Sequence, residues 1–255
     1  MSDILKVENV TLQFGGVKAI TDISFNVKEG EICAVIGPNG AGKSSMLNVI
    51  NGVYLPQIGT VTYDGVERQS INPRDAAIAG MARTFQNIAL FQGMNVLENI
   101  MTGRNLFMKS TWLEQGLNIG RAREEERVNR LAVEKVIKFL QIESIRKTPV
   151  SKLPYGLQKR VELGRALVAE PKILLLDEPM AGMNLEEKAD MSCFILEINK
   201  HQEIRTVMIE HHMCAVMDIS DHVVVLDDFK KIGVGSPSEV MANQDVIDAY
   251  LGVSH

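Results

Sequence analysis

Three features of the sequence predict an α/β fold built on a mainly parallel sheet. An apolar strand, 31–36, feeds a glycine-rich octet at 37–44, and a helical pattern continues over 45–50. After residue 155, helices alternate with short apolar runs, as expected of parallel strands joined by right-handed crossovers. The stretch 87–154 is helical in pattern instead, so a helical subdomain is inserted into the sheet-bearing core.

Residues 5–14 and 19–27 read as strands around a Gly-Gly turn, and 59–63 reads as a third closed by Asp64-Gly65. These are the antiparallel N-terminal strands. Asn72-Pro73-Arg74 opens a short helix that stops at Gly80. A helix at 96–101 precedes an irregular stretch, 103–120. The helix expected at 124–142 turns Val128, Leu131, Val136, Phe139 and Leu140 to its apolar side, and the charged run 121–127 forms solvated first turns. Helix 155–169, strand 173–176, helix 185–201 and strand 206–209 follow. Runs 223–226 and 231–234 suit a closing hairpin, and 237–251 supplies two short helices. The whole reads as one domain over 1–255, with a core from 1–86 and 155–235, the helical subdomain at 87–154 and C-terminal helices at 236–255. No period of 20 to 50 residues repeats, which excludes a solenoid.

The octet Gly37, Pro38, Asn39, Gly40, Ala41, Gly42, Lys43, Ser44 is a complete Walker A phosphate loop, with Ser45 next in the helix. Its glycines let backbone amides close around phosphate, and the helix N-terminus adds its dipole. Lys43 is placed to reach the β- and γ-phosphates of a nucleoside triphosphate, and the Ser44 hydroxyl to ligate magnesium. A second apolar strand ends in Asp177 and Glu178. Neighbouring strand residues point to opposite faces, so one carboxylate can serve the magnesium shell while the other aims at an attacking water. Together these residues predict a P-loop NTPase core that binds a nucleoside triphosphate with Mg²⁺.

The stretch 153–166, L-P-Y-G-L-Q-K-R-V-E-L-G-R-A, resembles the signature motif of ABC-transporter ATPases in a variant form. Gln86 in T-F-Q, A-G-M-N at 181–184 and His211 in M-I-E-H resemble the family's Q-loop, D-loop and switch histidine. More narrowly, F-G-G-V-K-A at 14–19, A-R-T-F-Q-N at 82–87 and D-A-Y-L-G at 248–252 are similar to the ATP-binding subunits of branched-chain amino-acid importers, the larger of two paired subunits.

The resemblance implies that Ser44, Gln86 and Asp177 surround magnesium, Glu178 polarises water and His211 contacts the γ-phosphate. Gln86 counts with Glu178 and His211 among the catalytic residues. Phe14 would stack on adenine, while Tyr155 and Gly156 would present the signature helix to nucleotide. The implied partners are a second ATPase subunit in a heterodimer, two membrane permease subunits and, indirectly, a periplasmic substrate-binding protein. The chain would then sit peripherally on the cytoplasmic face of the inner membrane. Urea or amide importers, a lipopolysaccharide exporter and soluble non-transport ABC ATPases remain alternatives. Two positions depart from the family pattern. Pro154 stands where the usual L-S-G-G-Q has serine, although proline suits the first turn of a helix. Asn184 replaces the D-loop aspartate.

At 45% apolar and 23% charged, the 255 residues have ordinary globular composition. A net charge of −5 with few aromatics argues against nucleic acid as a partner. The N-terminal M-S-D-I-L-K-V-E-N is not a signal peptide in pattern, and no apolar run reaches the ~20 residues of a membrane-spanning helix. Cys33, Cys193 and Cys214 are far apart and lack metal-site spacing, so buried reduced thiols are expected. Ile88, Leu90, Phe91 and Met94 suit either a groove for a partner helix or the core.

Overall fold

The computed structural model describes residues 3–68, 72–110, 120–211 and 213–251. Strands β1 (Asp3–Phe14) and β2 (Val17–Lys28) form a hairpin that turns at Gly15 and Gly16, both at positive φ. Strands β4 (Ile58–Tyr63) and β5 (Val66–Arg68) extend it into a four-stranded antiparallel sheet, β2-β1-β4-β5. The second sheet has six strands: β3 (Ile32–Ile36), β6 (Met81–Arg83), β7 (Ile173–Asp177), β8 (Arg205–Ile209), β9 (His222–Asp227) and β10 (Lys230–Gly235). They lie in the order β10-β9-β3-β8-β7-β6, parallel except for the β9–β10 hairpin.

The alternation along β3 divides the core into two layers. Ile32, Ala34 and Ile36 face one apolar cluster, and Cys33 and Val35 face the other. The second cluster packs the parallel sheet against the antiparallel one and against Met46, Leu47 and Ile50 of helix α1 (Lys43–Ile50). The first receives Val96 and Ile100 of α3 (Val96–Met101), after α2 (Pro73–Ile78), and Val133 and Ile137 of α4 (Arg121–Phe139). It also takes Val161 and Leu163 of α5 (Tyr155–Leu167), and Phe194, Ile195 and Ile198 of α6 (Leu185–Gln202). Helices α7 (Met213–Ile219), α8 (Pro237–Met241) and α9 (Gln244–Leu251) close the C-terminal side.

Several expectations need correction. β5, β6 and α7 were not anticipated; three-residue strands and a seven-residue helix are too short for periodicity to register. Helix α4 spans Arg121–Phe139 rather than 124–142, because the chain turns left-handed at Gln141, φ +57°. Its expected apolar positions divide: Leu140 is buried and Val136 and Phe139 pack against the first cluster, but the other two point outward. Val128 and Leu131 are exposed, and Ala122, Asn129, Val133 and Ile137 are buried. Asn129 is held inward by Arg104, a buried cation whose Nε donates to Asn129 Oδ1 at 3.0 Å and whose Nη1 donates to the Val168 carbonyl at 2.9 Å. Satisfying that guanidinium draws a polar residue inward.

Cys33 is buried as expected, and burial pushes its thiol well up. Cys193 is exposed, because Met191, Phe194, Ile195 and Ile198 define the inner face of α6. The Cys214 side chain falls outside the described residues.

Candidate nucleotide site

The phosphate loop leaves β3 at Gly37, φ +146°, where a Cβ would run into the Leu226 carbonyl of β9. Gly42 caps α1 at φ +97°, and a Cβ there would strike the Ala19 carbonyl. Only glycine lets the loop sit this close to its two neighbouring strands. Asn39, Gly40 and Ser44 are exposed, Pro38 and Ser45 half-buried, and Ala41 buried. The Lys43 ammonium is folded into the loop, donating to the carbonyls of Gly37 and Pro38 at 2.8 Å each. Burial lowers its pKa, and the nearby Glu178 and Asp177 work in the opposite direction.

Strand β7 delivers Asp177 beside this loop. Its Oδ2 accepts from Arg83 Nη2 at 3.0 Å, and Arg83 Nη1 donates to Asn48 Oδ1 of α1 at 2.6 Å. Asp177 Oδ1 is buried without a hydrogen-bond partner. At Glu178 the backbone turns left-handed, φ +49°, with its N–H still on the Ile209 carbonyl at 3.0 Å. That turn aims the two carboxylates differently, as the sequence reading expected. Glu178 Oε1 lies 2.6 Å from His211 Nε2, and Oε2 accepts from Gln86 Nε2 at 3.2 Å. Three residues distant in sequence therefore meet through a single carboxylate.

Sequence reasoning missed two residues that build this geometry. Arg83 ties α1 to β7. Glu210, fully buried, accepts from Met180 N at 2.8 Å through Oε1 and from His211 N at 3.1 Å through Oε2. It pins the turns that follow β7 and β8. Each sat inside a quoted motif, and a charged residue flanked by apolar strand positions was the available signal.

The family model described as ABC transporter matches residues 20–181. The chain belongs to the ABC transporter family. As an ABC ATPase, it binds and hydrolyses ATP. A second model, branched-chain amino acid ATP-binding cassette transporter, matches residues 230–255. The high-affinity branched-chain amino acid transport ATP-binding protein BraF of Pseudomonas aeruginosa is 34% identical, with 98% of each chain covered. The corresponding protein LivG of Salmonella typhimurium is 36% identical at the same coverage. A crystal structure of an ATP-binding cassette of an ABC transporter in its ADP conformation superposes with TM-score 0.86 at 29% identity, over 99% of this chain and 100% of that one. A nucleotide-free cassette gives TM-score 0.85 at 29% identity, over 98% and 99%.

The ABC ATPase places its signature segment at the start of α5. Pro154 is the N-cap of that helix, at φ −54° and ψ 153°, immediately before the first helical residue Tyr155. Gln158 fastens the segment, donating from Nε2 to the Leu153 carbonyl at 2.8 Å. A Cβ on Gly156 would collide with the Glu187 carboxylate, and Tyr155 lies over Gly182 of the A-G-M-N turn. Among the described residues, no hydrogen bond joins Asn184 to Asp177 or Glu178. Asn184 caps α6, accepting from Glu187 N at 2.9 Å while Glu187 Oε2 accepts from Asn184 N at 3.0 Å. Phe14, at the end of β1, is half-exposed and meets Tyr54 edge-on at 4.9 Å. Among the described residues, no hydrogen bond or ring contact joins Phe14, Tyr155 or Gly156 to Lys43, Asp177 or Glu178. No helix among them is long and apolar enough to cross a membrane.

Proposed function

We propose that this ABC ATPase powers an importer for branched-chain or related amino acids. The observation that carries this reading is the match of residues 230–255 to the branched-chain cassette model, beside full-length similarity to BraF and LivG. In this reading the chain sits peripherally at the cytoplasmic face of the inner membrane. It works with two permease subunits, a second ATPase subunit and, through them, a periplasmic binding protein.

The chain's own residues supply positioning and proton chemistry. Lys43 exchanges the carbonyls of Gly37 and Pro38 for phosphate oxygens, and its dehydrated charge makes that exchange favourable. Glu178 takes the proton of the attacking water. His211 and Gln86 hold its two oxygens apart so that one carboxylate orientation is kept, and His211 turns toward the γ-phosphate on closure. Phe14 offers a stacking face to the base.

The donor set fits magnesium: Asp177 Oδ1 is a buried carboxylate oxygen with no partner of its own, and Ser44 and Gln86 are the other candidate ligands. When bound, magnesium neutralises charge on the phosphates.

The Pro154 cap supports a heterodimer. Proline lacks the serine hydroxyl and the N–H, so this chain offers its partner's nucleotide one charge-assisted hydrogen bond fewer, a loss of about 1.5–3 kcal/mol. Tyr155 and Gly156 still present the helix N-terminus. A partner with an intact signature would complete the site on this chain's Walker motifs.

A groove of about 520 Å³ lined by Phe85, Ala89, Phe91, Leu106 and Arg165 supports permease docking. The choice between groove and core divides residue by residue: Leu90 is buried at 8% and Phe91 is exposed at 54%.

The test is reconstitution with the neighbouring permeases and binding protein in proteoliposomes. ATPase stimulation by leucine, isoleucine or valine supports the reading. Stimulation by urea or short amides alone would replace it.

A further inference from the structure

After Thr84, whose N–H still bonds the Leu175 carbonyl of β7 at 2.9 Å, residues 85–89 lead from β6 to the helical region outside any strand, so their backbone groups need other partners. Two charged side chains of α5 supply them. Lys159 Nζ donates to the carbonyls of Phe85 at 3.0 Å and Gln86 at 2.9 Å. Glu162 Oε1 accepts from the N–H of Phe85 at 3.3 Å and of Ala89 at 3.4 Å. The pair stands at i and i+3 on one helix face, Lys159 at 3% exposure and Glu162 at 1%, with Lys159 Nζ 3.6 Å from Glu162 Oε2. Arg165 reinforces the arrangement, with Nη2 3.8 Å from Glu162 Oε1 and Nη1 on the Ala89 carbonyl.

Such a pair is a poor way to gain stability. Taking two charges out of water costs about as much as their attraction returns, and apolar replacements are often neutral. Glu162 Oε2 has no hydrogen-bond partner at all. Burial pushes the Glu162 carboxyl up, with Lys159 and the two amides pulling it back. What the pair does provide is a fixed location for the backbone of Gln86, whose side chain holds Glu178 Oε2.

We infer that Lys159 and Glu162 are positioning residues for hydrolysis, clamping the backbone at Phe85–Gln86 so that Gln86 can hold Glu178. The helix capped by Pro154 is thereby linked to Glu178 through the Lys159 side chain, the Gln86 carbonyl and the Gln86 side chain. This inference rests on the assignment of Gln86 and Glu178 proposed above.

The experiment is a mutant cycle in the full transporter assembly, combining Lys159→Met/Glu162→Leu with Gln86→Ala. The clamp variant should lose about tenfold or more in kcat with KM for ATP within about twofold, and it should add almost nothing once Gln86 is alanine. Lys159→Arg, which keeps two carbonyl donors, should restore kcat to within about threefold. A parental kcat in the clamp variant, or losses that multiply with Gln86→Ala, overturns the inference. If Lys159→Met/Glu162→Leu melts below the assay temperature, Glu162→Gln replaces it in the same cycle, with the same non-additivity expected and the same multiplicative result overturning it. An undiminished kcat in Gln86→Ala alone would instead fail the parent assignment, so the two failures are distinct.

Discussion

His211 Nε2 and Glu178 Oε1 are 2.6 Å apart, joining the turn after β8 to the turn after β7 across one hydrogen bond. Because Gln86 occupies the other oxygen, Glu178 is held by both neighbours before any substrate arrives. Glu178→Gln keeps the shape and removes the proposed base. Turnover should fall about 10²- to 10⁴-fold with ATP affinity within about threefold of the parent. Equilibrium nucleotide binding and single-turnover hydrolysis measure the two quantities. Undiminished turnover would remove Glu178 as the base.

Pro154→Ser gives the α5 cap a hydroxyl. At the site facing this signature, hydrolysis should rise by up to about 10- to 150-fold, the equivalent of one hydrogen bond to a charged group. Replacing Lys43 should lower total turnover more than replacing the matching lysine of the second ATPase subunit. A fully active homodimer of this chain with no second subunit would defeat the unequal-site reading.

Phe91 and Leu90 are adjacent and opposite in exposure, which makes them a matched pair. Phe91→Asp should shift stability by no more than about 0.5 kcal/mol, while Leu90→Asp should cost several kcal/mol, about 3 or more. Substrate uptake should nevertheless fail in Phe91→Asp with ATP affinity unchanged. A thermal melt of the isolated protein and an uptake assay in the assembly read these separately. A large melting shift in Phe91→Asp would return that residue to the core.

Asn184 works as a helix cap, so Asn184→Ala should cost about 0.5–2 kcal/mol of stability. Asn184→Asp retains an accepting oxygen and should melt within about 2 °C of the parent. Denaturant melts of the three proteins check the ranking. An alanine variant as stable as the parent would leave the cap without energetic weight.

The phosphate loop was legible because its information is local: eight consecutive residues between a strand and a helix. That Asp177 and Glu178 point differently was legible from two adjacent carboxylates at the end of an apolar strand, although the left-handed backbone at Glu178, beyond the last residue of β7, is what separates them. Arg83 and Glu210 were not, since each acts through a partner dozens of residues away, such as Asp177 or Met180. The face of α4 was read in part: Val136, Phe139 and Leu140 do turn inward, while the inward place of Asn129 depends on the buried guanidinium of Arg104, 25 residues away. The dual character of 88–94 was likewise hidden, as exposure changes between neighbours in a loop that has no period.

The placement of β3 has a consequence for how the protein is made. This strand leads into the phosphate loop, yet its sheet partners come from the far end of the chain: Ile32 pairs with Thr206, Cys33 with His222 and Ile36 with Val225. A chain emerging from the ribosome carries its Walker A residues early, but the sheet neighbours of the strand that leads into them arrive more than 160 residues later. The β1–β2 hairpin can close on its own during that interval, because its strands are adjacent in sequence. Nucleotide binding therefore matures late in synthesis, and a truncated nascent chain holds the phosphate-loop sequence without the site.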